Sequence, residues 1–233
     1  MKLTAISDTH CYHSRLNLSG GDILLHAGDI SSRGREPEVK DFIKWFEKQP
    51  YTHKIFIAGN HDKSFDPKYG VASWLKPLLE AYTSNPDHFY LESASCEIKG
   101  IKFWGSPWTP WFHGDIWAFN KQRGDSIKRI WDNIPMDTDI VITHGPVYMK
   151  LDKVRQIGSS NYGEYVGCEQ LLYKLQEIKP ILHLSGHIHE GYGYEYAGGT
   201  HYINASVLTE TYALKNKPID FEINEETKEI TFL

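Results

Sequence analysis

Short apolar runs recur along the chain: Leu3-Thr4-Ala5-Ile6, Ile23-Leu24-Leu25, Ile55-Phe56-Ile57, Ile101-Lys102-Phe103-Trp104, Ile140-Val141-Ile142 and Ile181-Leu182-His183-Leu184. Runs this short and this apolar predict buried strands. Between some of them the period changes to that of a helix. Val39, Phe42, Ile43 and Phe46 stand at i, i+3, i+4 and i+7, with Pro37 near the start and Pro50 just past the end. Leu171, Leu175 and Ile178 repeat at i, i+4 and i+7 before Pro180, and Ile127, Ile130 and Trp131 mark a shorter helix. After His189 the texture becomes rich in Gly, Tyr and Thr, predicting strands over 191–196, 200–204, 219–223 and 229–232 with no helix between them. Strands alternating with helices first, and hairpin-like strands last, predict a mixed α/β fold with two sheets packed face to face.

The polar residues are placed as pointedly as the apolar ones. Five clusters follow directly on predicted strands: Asp8-Thr9-His10, Gly28-Asp29, Gly59-Asn60-His61-Asp62, Thr143-His144-Gly145 and Gly186-His187-Ile188-His189. The C-terminal ends of strands are where α/β folds gather their sites. Aspartate, asparagine and histidine are the ligand types of a hard-to-borderline divalent cation. Seven such side chains converging could hold two cations that share one carboxylate, an arrangement suited to phosphoryl transfer when the metals stand roughly 3.5–4 Å apart. Alternation at a strand end puts Asp8 with His10, and His187 with His189, on common faces. One such cluster alone would more simply be a turn or a satisfied core histidine. Five in succession would leave buried charge without compensation unless they coordinate metal.

Composition narrows the setting. With 233 residues, no repeat and no linker-like tract, the expectation is one domain spanning 1–233. A net charge of −5 argues against a dedicated nucleic-acid surface. Cys11, Cys96 and Cys168 are an odd number, far apart and without CxxC spacing, which fits free thiols in a reducing compartment. No apolar stretch approaches membrane-spanning length and the N-terminal run is too short for a signal core, so a cytoplasmic protein is expected.

The ordered set D-x-H, G-D, G-N-H-D, H and G-H-x-H resembles the signature of the calcineurin-like metallophosphoesterase superfamily, along essentially the whole chain. Gly105-Ser106-Pro107-Trp108, Thr143-His144-Gly145-Pro146, the GHIHEGYG segment at 186–193 and Tyr202-Ile203-Asn204-Ala205-Ser206 are similar to the branch holding vertebrate brain metallophosphoesterase-domain proteins and bacterial class III cyclic-nucleotide phosphodiesterases. The resemblance implies a four-layer α/β/β/α sandwich with two mixed sheets. It implies one metal held by Asp8, His10, Asp29 and His189, and a second held by Asp29, Asn60, His144 and His187, with Asp29 bridging. It further implies hydrolysis of a small phosphoester, possible substrates including nucleotides, by in-line attack of a hydroxide between the metals. His61 would then assist the leaving oxygen. Manganese or iron suits mixed oxygen and imidazole ligation, and zinc is an alternative.

One departure is informative. In Gly28-Asp29-Ile30-Ser31-Ser32-Arg33-Gly34, Ser32 stands where the protein Ser/Thr phosphatases of the superfamily carry the aspartate that orients the catalytic histidine. This points away from a protein phosphatase and toward a phosphodiesterase. Arg33 is a candidate phosphate clamp, against the plainer reading of a solvated loop arginine. The stretch from Trp104 to Phe119 holds six large aromatics broken by Pro107, Pro110 and Gly114, which predicts an ordered loop. Trp108 and Trp111 are its candidates for stacking on a substrate, against a simple hydrophobic plug. His13, His26 and His183 read as packing residues. Two rival readings remain: a metal-dependent nuclease of the same superfamily, which would want a basic stripe, and a non-catalytic interaction scaffold, which would be expected to lack a ligand or the histidine.

Overall fold

The computed structural model describes residues 1–70 and 72–233. Strands β1 (Lys2–Ile6), β2 (Gly21–Ala27), β3 (Tyr51–Ile57) and β4 (His88–Tyr90) lie side by side and parallel. The chain then builds a second sheet from β5 (Ala94–Ile98) and β6 (Ile101–Ser106). A two-residue ladder, β7 (Thr109–Pro110) with β8 (Asn120–Lys121), closes the aromatic loop at its base. Strands β9 (Ile140–Thr143), β10 (Leu182–Ser185), β11 (Gly193–Ala197) and β12 (Thr200–Asn204) complete this sheet in the order β11-β12-β10-β9-β6-β5. Its four central strands are parallel and its two edges antiparallel. Finally β13 (Ile219–Ile223) and β14 (Ile230–Phe232) return to the first sheet, antiparallel, beside β1.

Period-two alternation explains the layering. Leu3, Ala5, Ile23, Leu25, Ala27, Ile55 and Ile57 point into the space between the sheets, where they meet Phe103, Ile140, Ile142, Leu182 and Leu184. Their neighbours Leu24 and Phe56 point the other way, onto Val39, Phe42, Ile43 and Phe46 of α1 (Glu36–Glu47) and Leu75 and Tyr82 of α2 (Leu75–Thr83). On the far side Trp104 and Val141 pack against Ile127 and Trp131 of α3 (Asp125–Trp131) and Leu171 and Leu175 of α4 (Glu169–Ile178). Each fully buried Leu, Ile or Phe contributes roughly 1.5–3 kcal/mol relative to an exposed one, which is why amphipathic stripes of this kind decide helix docking. The three apolar interfaces make the four-layer α/β/β/α sandwich of the sequence expectation.

The two sheets are stitched together at one end. Ser7 N donates to Ala205 O at 2.9 Å and Val207 N to Ser7 O at 3.0 Å, joining the loop after β1 to the loop after β12. At that same end the chain leaves β1, β2, β3, β9 and β10 through the five polar clusters. Helix α1 helps set one of them, because Glu38 Oε2 accepts from Arg33 N (3.0 Å) and Arg35 N (3.1 Å) and so ties the helix start to the loop after Asp29. Among the described residues no helix is long and apolar enough to cross a membrane.

Candidate metal centre

Loops that leave parallel strands must turn sharply if their side chains are to face one another. Asp8, His10, Asp29 and His187 all sit at positive φ (53°, 39°, 55° and 66°). Each such residue costs on the order of 1–3 kcal/mol and persists only where its surroundings fix it. Here cross-loop hydrogen bonds do so: Asp8 N to Gly28 O (3.0 Å), His10 N to Asp29 O (3.1 Å) and Cys11 N to Ile30 O (3.3 Å). Two glycines are dictated by the crowding. A Cβ on Gly59 would stand 2.3 Å from Asp29 Oδ1, and one on Gly186 would stand 2.2 Å from Asp8 Oδ2.

The seven candidate ligands converge on two carboxylates. Asp29 Oδ2 lies 3.5 Å from His10 Nε2 and 3.4 Å from His144 Nε2. Asp8 Oδ1 lies 3.4 Å from His189 Nε2, while the His187 backbone amide donates to both Asp8 oxygens at 3.1 and 3.0 Å. Asn60 Oδ1 is 2.9 Å from His144 Nε2, and the His187 ring is 5.0 Å from that of His144. Donor atoms of Asp8, His10 and His189 fall within 4.8 Å of one another, as do those of Asp8, Asp29 and His144, and those of His10, Asp29 and His61.

Backbone carbonyls set the tautomers. His144 Nδ1 pairs with Ala27 O (2.9 Å), His189 Nδ1 with Thr209 O (2.9 Å) and His61 Nδ1 with Ser32 O (2.8 Å). A carbonyl can only accept, so in each ring Nδ1 carries the proton and Nε2 is left for ligation or proton transfer. Ser32 therefore still orients His61, through its main chain where the protein phosphatases use an aspartate side chain. Asp29 Oδ1 adds a second hold by accepting from His61 N at 2.8 Å. Asp62 clamps the same region, since its carboxylate accepts from Ile30 N, Ser31 N, Ser31 Oγ and Gly59 N. Burial and the nearby Asp29 push its pKa up to about 7, against those four donors, which favour the anion.

The electrostatics ask for positive charge. Burial works to raise the Asp8 and Asp29 carboxyls. The neighbouring rings, chiefly His189 for Asp8 and His144 for Asp29, outweigh it and hold both well below the usual carboxylate range. His144 answers in kind: burial would lower it, but Asp29 dominates and its pKa is pushed up to about 9. Burial wins at His10 and His187, lowered to about 4 and about 3. Two buried carboxylates so close require compensation, from histidine protons or from bound cations. The donor set fits a metal on a further ground. Among the described residues neither ring nitrogen of buried His10 has a hydrogen-bond partner, and an orphan of this kind costs about 1–3 kcal/mol.

The family's sequence profile, that of the calcineurin-like phosphoesterases, matches residues 1–191. The chain belongs to the calcineurin-like phosphoesterase family. By that membership it is a metal-dependent phosphoester hydrolase. Metallophosphoesterase domain-containing protein 1 of Homo sapiens is 38% identical over 238 residues, covering 95% of this chain and 71% of that protein. UPF0046 protein K07C11.7 of Caenorhabditis elegans is 31% identical over 97% of this chain and 77% of its own. Two solved structures share the fold at low identity. A Thermus thermophilus protein superposes with a TM-score of 0.64 at 12% identity, covering 100% of this chain and 97% of that one. The phosphopantetheinyl hydrolase of Mycobacterium tuberculosis reaches 0.56 at 14%, covering 91% and 90%.

In this phosphoesterase a cavity of about 890 Å³ opens above the clustered ligands, with Asp29, Asn60, His61, His187 and His189 on its floor. One wall is the aromatic loop, through Trp111, Phe112 and Trp117; the other is a hairpin over 152–167, through Gln156, Ser159, Ser160 and Asn161. Trp111 does line the cavity. Trp108 does not: its ring packs edge-on against Phe119 at 5.4 Å, beneath Lys121 Nζ, so for this residue the plug reading holds. Arg33, the other candidate, is exposed and does not line the cavity. Phe112 and Trp117 were not singled out by sequence reasoning, yet Phe112 lies 4.8 Å from the His187 ring and Trp117 4.6 Å from His61. Tyr212, also missed, closes the cavity beside His10 and His189. Nothing in the spacing separates these aromatics from their neighbours. The expected packing histidines are buried as read, but two have partners beside the ligands: His26 Nε2 meets Thr9 Oγ1 (3.0 Å) and His183 Nε2 meets Thr143 Oγ1 (2.8 Å).

Proposed function

We propose that the chain is a two-metal phosphodiesterase acting as one domain over 1–233. Asp8, His10, Asp29 and His189 would hold one cation, and Asp29, Asn60, His144 and His187 the other. The observation that carries this reading is the position of Asp29 Oδ2, 3.5 Å from His10 Nε2 and 3.4 Å from His144 Nε2, where one carboxylate serves both halves of the centre. Two divalent cations bound there would supply Lewis-acid charge to the phosphoryl oxygens and acidify the attacking water. Manganese or iron suits this mixture of carboxylate, amide and imidazole donors, with zinc as the alternative.

The chain's own residues then do the rest. His61, held through Nδ1–H on Ser32 O, directs Nε2 to the leaving oxygen, and with a second proton on Nε2 it serves there as hydrogen-bond donor and proton source. Asp29 fixes the backbone of that same histidine, which couples the cation position to the acid. The aromatic and polar walls leave room beside the centre for the second substituent of a diester, an aryl group or the nucleoside of a nucleotide. Orientation of His61 by a neutral carbonyl, in place of the carboxylate of the protein phosphatases, further supports a small diester over a phosphoprotein. The three cysteines are free, which suits a reducing compartment such as the cytoplasm. The test is a comparison of bis(4-nitrophenyl) phosphate with 4-nitrophenyl phosphate on the manganese-loaded protein. The reading expects higher kcat/KM for the diester; a clear preference for the monoester overturns the diesterase assignment.

A further inference from the structure

The centre holds its histidines in two different ways. The rings of His61, His144 and His189 are each pinned by a backbone carbonyl at Nδ1. His10 is buried with neither nitrogen bonded among the described residues, so no hydrogen bond sets its rotation. Beside the Asp29 carboxylate, 3.5 Å from Nε2, its ring meets three others: His61 at 4.5 Å and 81°, Tyr212 at 5.1 Å and 62°, and His189 at 5.5 Å and 54°. The contacts with His61 and Tyr212 are edge-to-face, a geometry that is directional as well as apolar.

Tyr212 is the member of this cage with no part in the reading above. Its ring also meets His189, at 5.1 Å and 69°, so one phenol spans both rings. The backbone is arranged to present it. Tyr212 has φ of +59°, unusual for a bulky side chain, in a turn closed by Tyr212 N to Thr209 O (2.8 Å) and Thr209 N to Ala213 O (2.9 Å). The Thr209 carbonyl that closes the turn is the one that pins His189. A single turn thus fixes His189 from one side and places the Tyr212 ring against His10 and His189 from the other. The Tyr212 hydroxyl has no protein hydrogen-bond partner among the described residues, whereas its ring meets two of the candidate ligands.

We propose that Tyr212 is a positioning residue for one of the two cation sites: its ring, and not its hydroxyl, holds His10 and His189 in the orientation in which they take a divalent cation together with Asp8. This rests on the ligand assignment proposed above. Partners that orient a ligand without touching the metal are worth about 10–100-fold in metal affinity, and that is the loss expected when the ring is removed. The site of Asn60, His144 and His187 makes no ring contact with Tyr212 and should keep its affinity.

The experiment is a Mn²⁺ titration of the full chain, following free ion by electron paramagnetic resonance, for wild type, Tyr212→Phe, Tyr212→Leu and Tyr212→Ala. Tyr212 is 48% exposed, so melting of each metal-free variant is expected to stay near wild type and serves as the check on folding. Wild type and Tyr212→Phe should bind two ions with matching affinities, while Tyr212→Leu and Tyr212→Ala should weaken one of the two sites at least tenfold. Two tight ions in all four proteins overturn the inference about Tyr212 alone. Equal weakening in Tyr212→Phe overturns it too, by transferring the role to the hydroxyl. Fewer than two ions in wild type would count against the ligand assignment itself, whatever the variants do.

Discussion

The floor of the cavity and its walls are built on opposite terms. On the floor, Asp29 and Asn60 are buried, Asp29 and His187 are driven into left-handed conformations, and hydrogen bonds from neighbouring loops hold the backbone in place. On the walls, Trp111 is 40% exposed and Ile157, near the hairpin tip, 92% exposed, with few hydrogen bonds to hold either. The hairpin is tied at its base instead, where Asp152 Oδ2 accepts from Met149 N and Gly167 N and Arg123 reaches the carbonyls of Val166 and Gly167. Strain and burial concentrate where reacting atoms must be placed to fractions of an ångström; apolar exposure concentrates where a substrate is to be received. Chemistry should therefore be lost by mutating the floor, and selectivity by mutating the walls.

The largest effect that can break this division is at His61. His61→Ala should leave two metals bound and lower turnover by roughly 10²–10⁴-fold, the span of general-acid assistance. Elemental analysis alongside the kinetics decides the matter. Loss of a metal with the ring would make His61 a ligand, as its closeness to His10 and Asp29 also permits.

A smaller and more selective effect belongs to the walls. Trp111→Ala should raise KM for an aryl or nucleotide diester, by an amount equivalent to roughly 1–3 kcal/mol of lost stacking, and spare a small alkyl diester. Trp108→Ala should do the reverse, lowering the melting temperature without changing selectivity, because its ring is packed on Phe119. If the two variants behaved alike, the line drawn between wall and core would be wrong.

The smallest effect concerns the support beneath the floor. Burial lowers the pKa of His183 from 6.5 to about 3, so the folded chain keeps this ring neutral. Between those values the unfolded chain binds a proton that the native state refuses. The stability so gained is complete above pH 6.5 and is lost as the pH falls toward 3. His183→Asn should flatten the fall of melting temperature of the metal-free protein between pH 6.5 and 4. An unchanged slope would show that other groups, His26 among them, carry the acid sensitivity.

The same contrast governed what could be read from the amino acids. That Asp8, His10, Asp29, Asn60, His61, His144, His187 and His189 gather at one end of the sheets was legible because a candidate metal centre admits few residue types, and each cluster follows an apolar strand. The inward alternation of Leu3, Ala5, Ile23 and Leu25 was legible for a similar reason, since burial permits few exceptions. Helix α2 was not read: Pro77 hides the spacing of Leu75, Leu78, Leu79 and Tyr82, although a proline in the first turn costs a helix no hydrogen bond. Strand β5 escaped because it is a mostly exposed edge with little apolar pattern. Among the aromatics, Trp108 and Trp111 are three residues apart and flanked alike, and only the tertiary path of the loop sends one into packing and the other to the cavity. Tyr212 lies in a strand-poor segment whose value depends on where Thr209 O happens to fall.

The central claim is that the floor holds two cations around Asp29 and that hydrolysis depends on them. It is tested most directly by the metal content and phosphodiesterase activity of one purified sample, before and after chelation, with Asp29→Ala beside it. The account predicts two divalent ions per chain and activity abolished by chelation and restored by manganese. For Asp29→Ala it predicts metal and activity lost together. Full hydrolysis by protein shown by elemental analysis to be free of metal would contradict it.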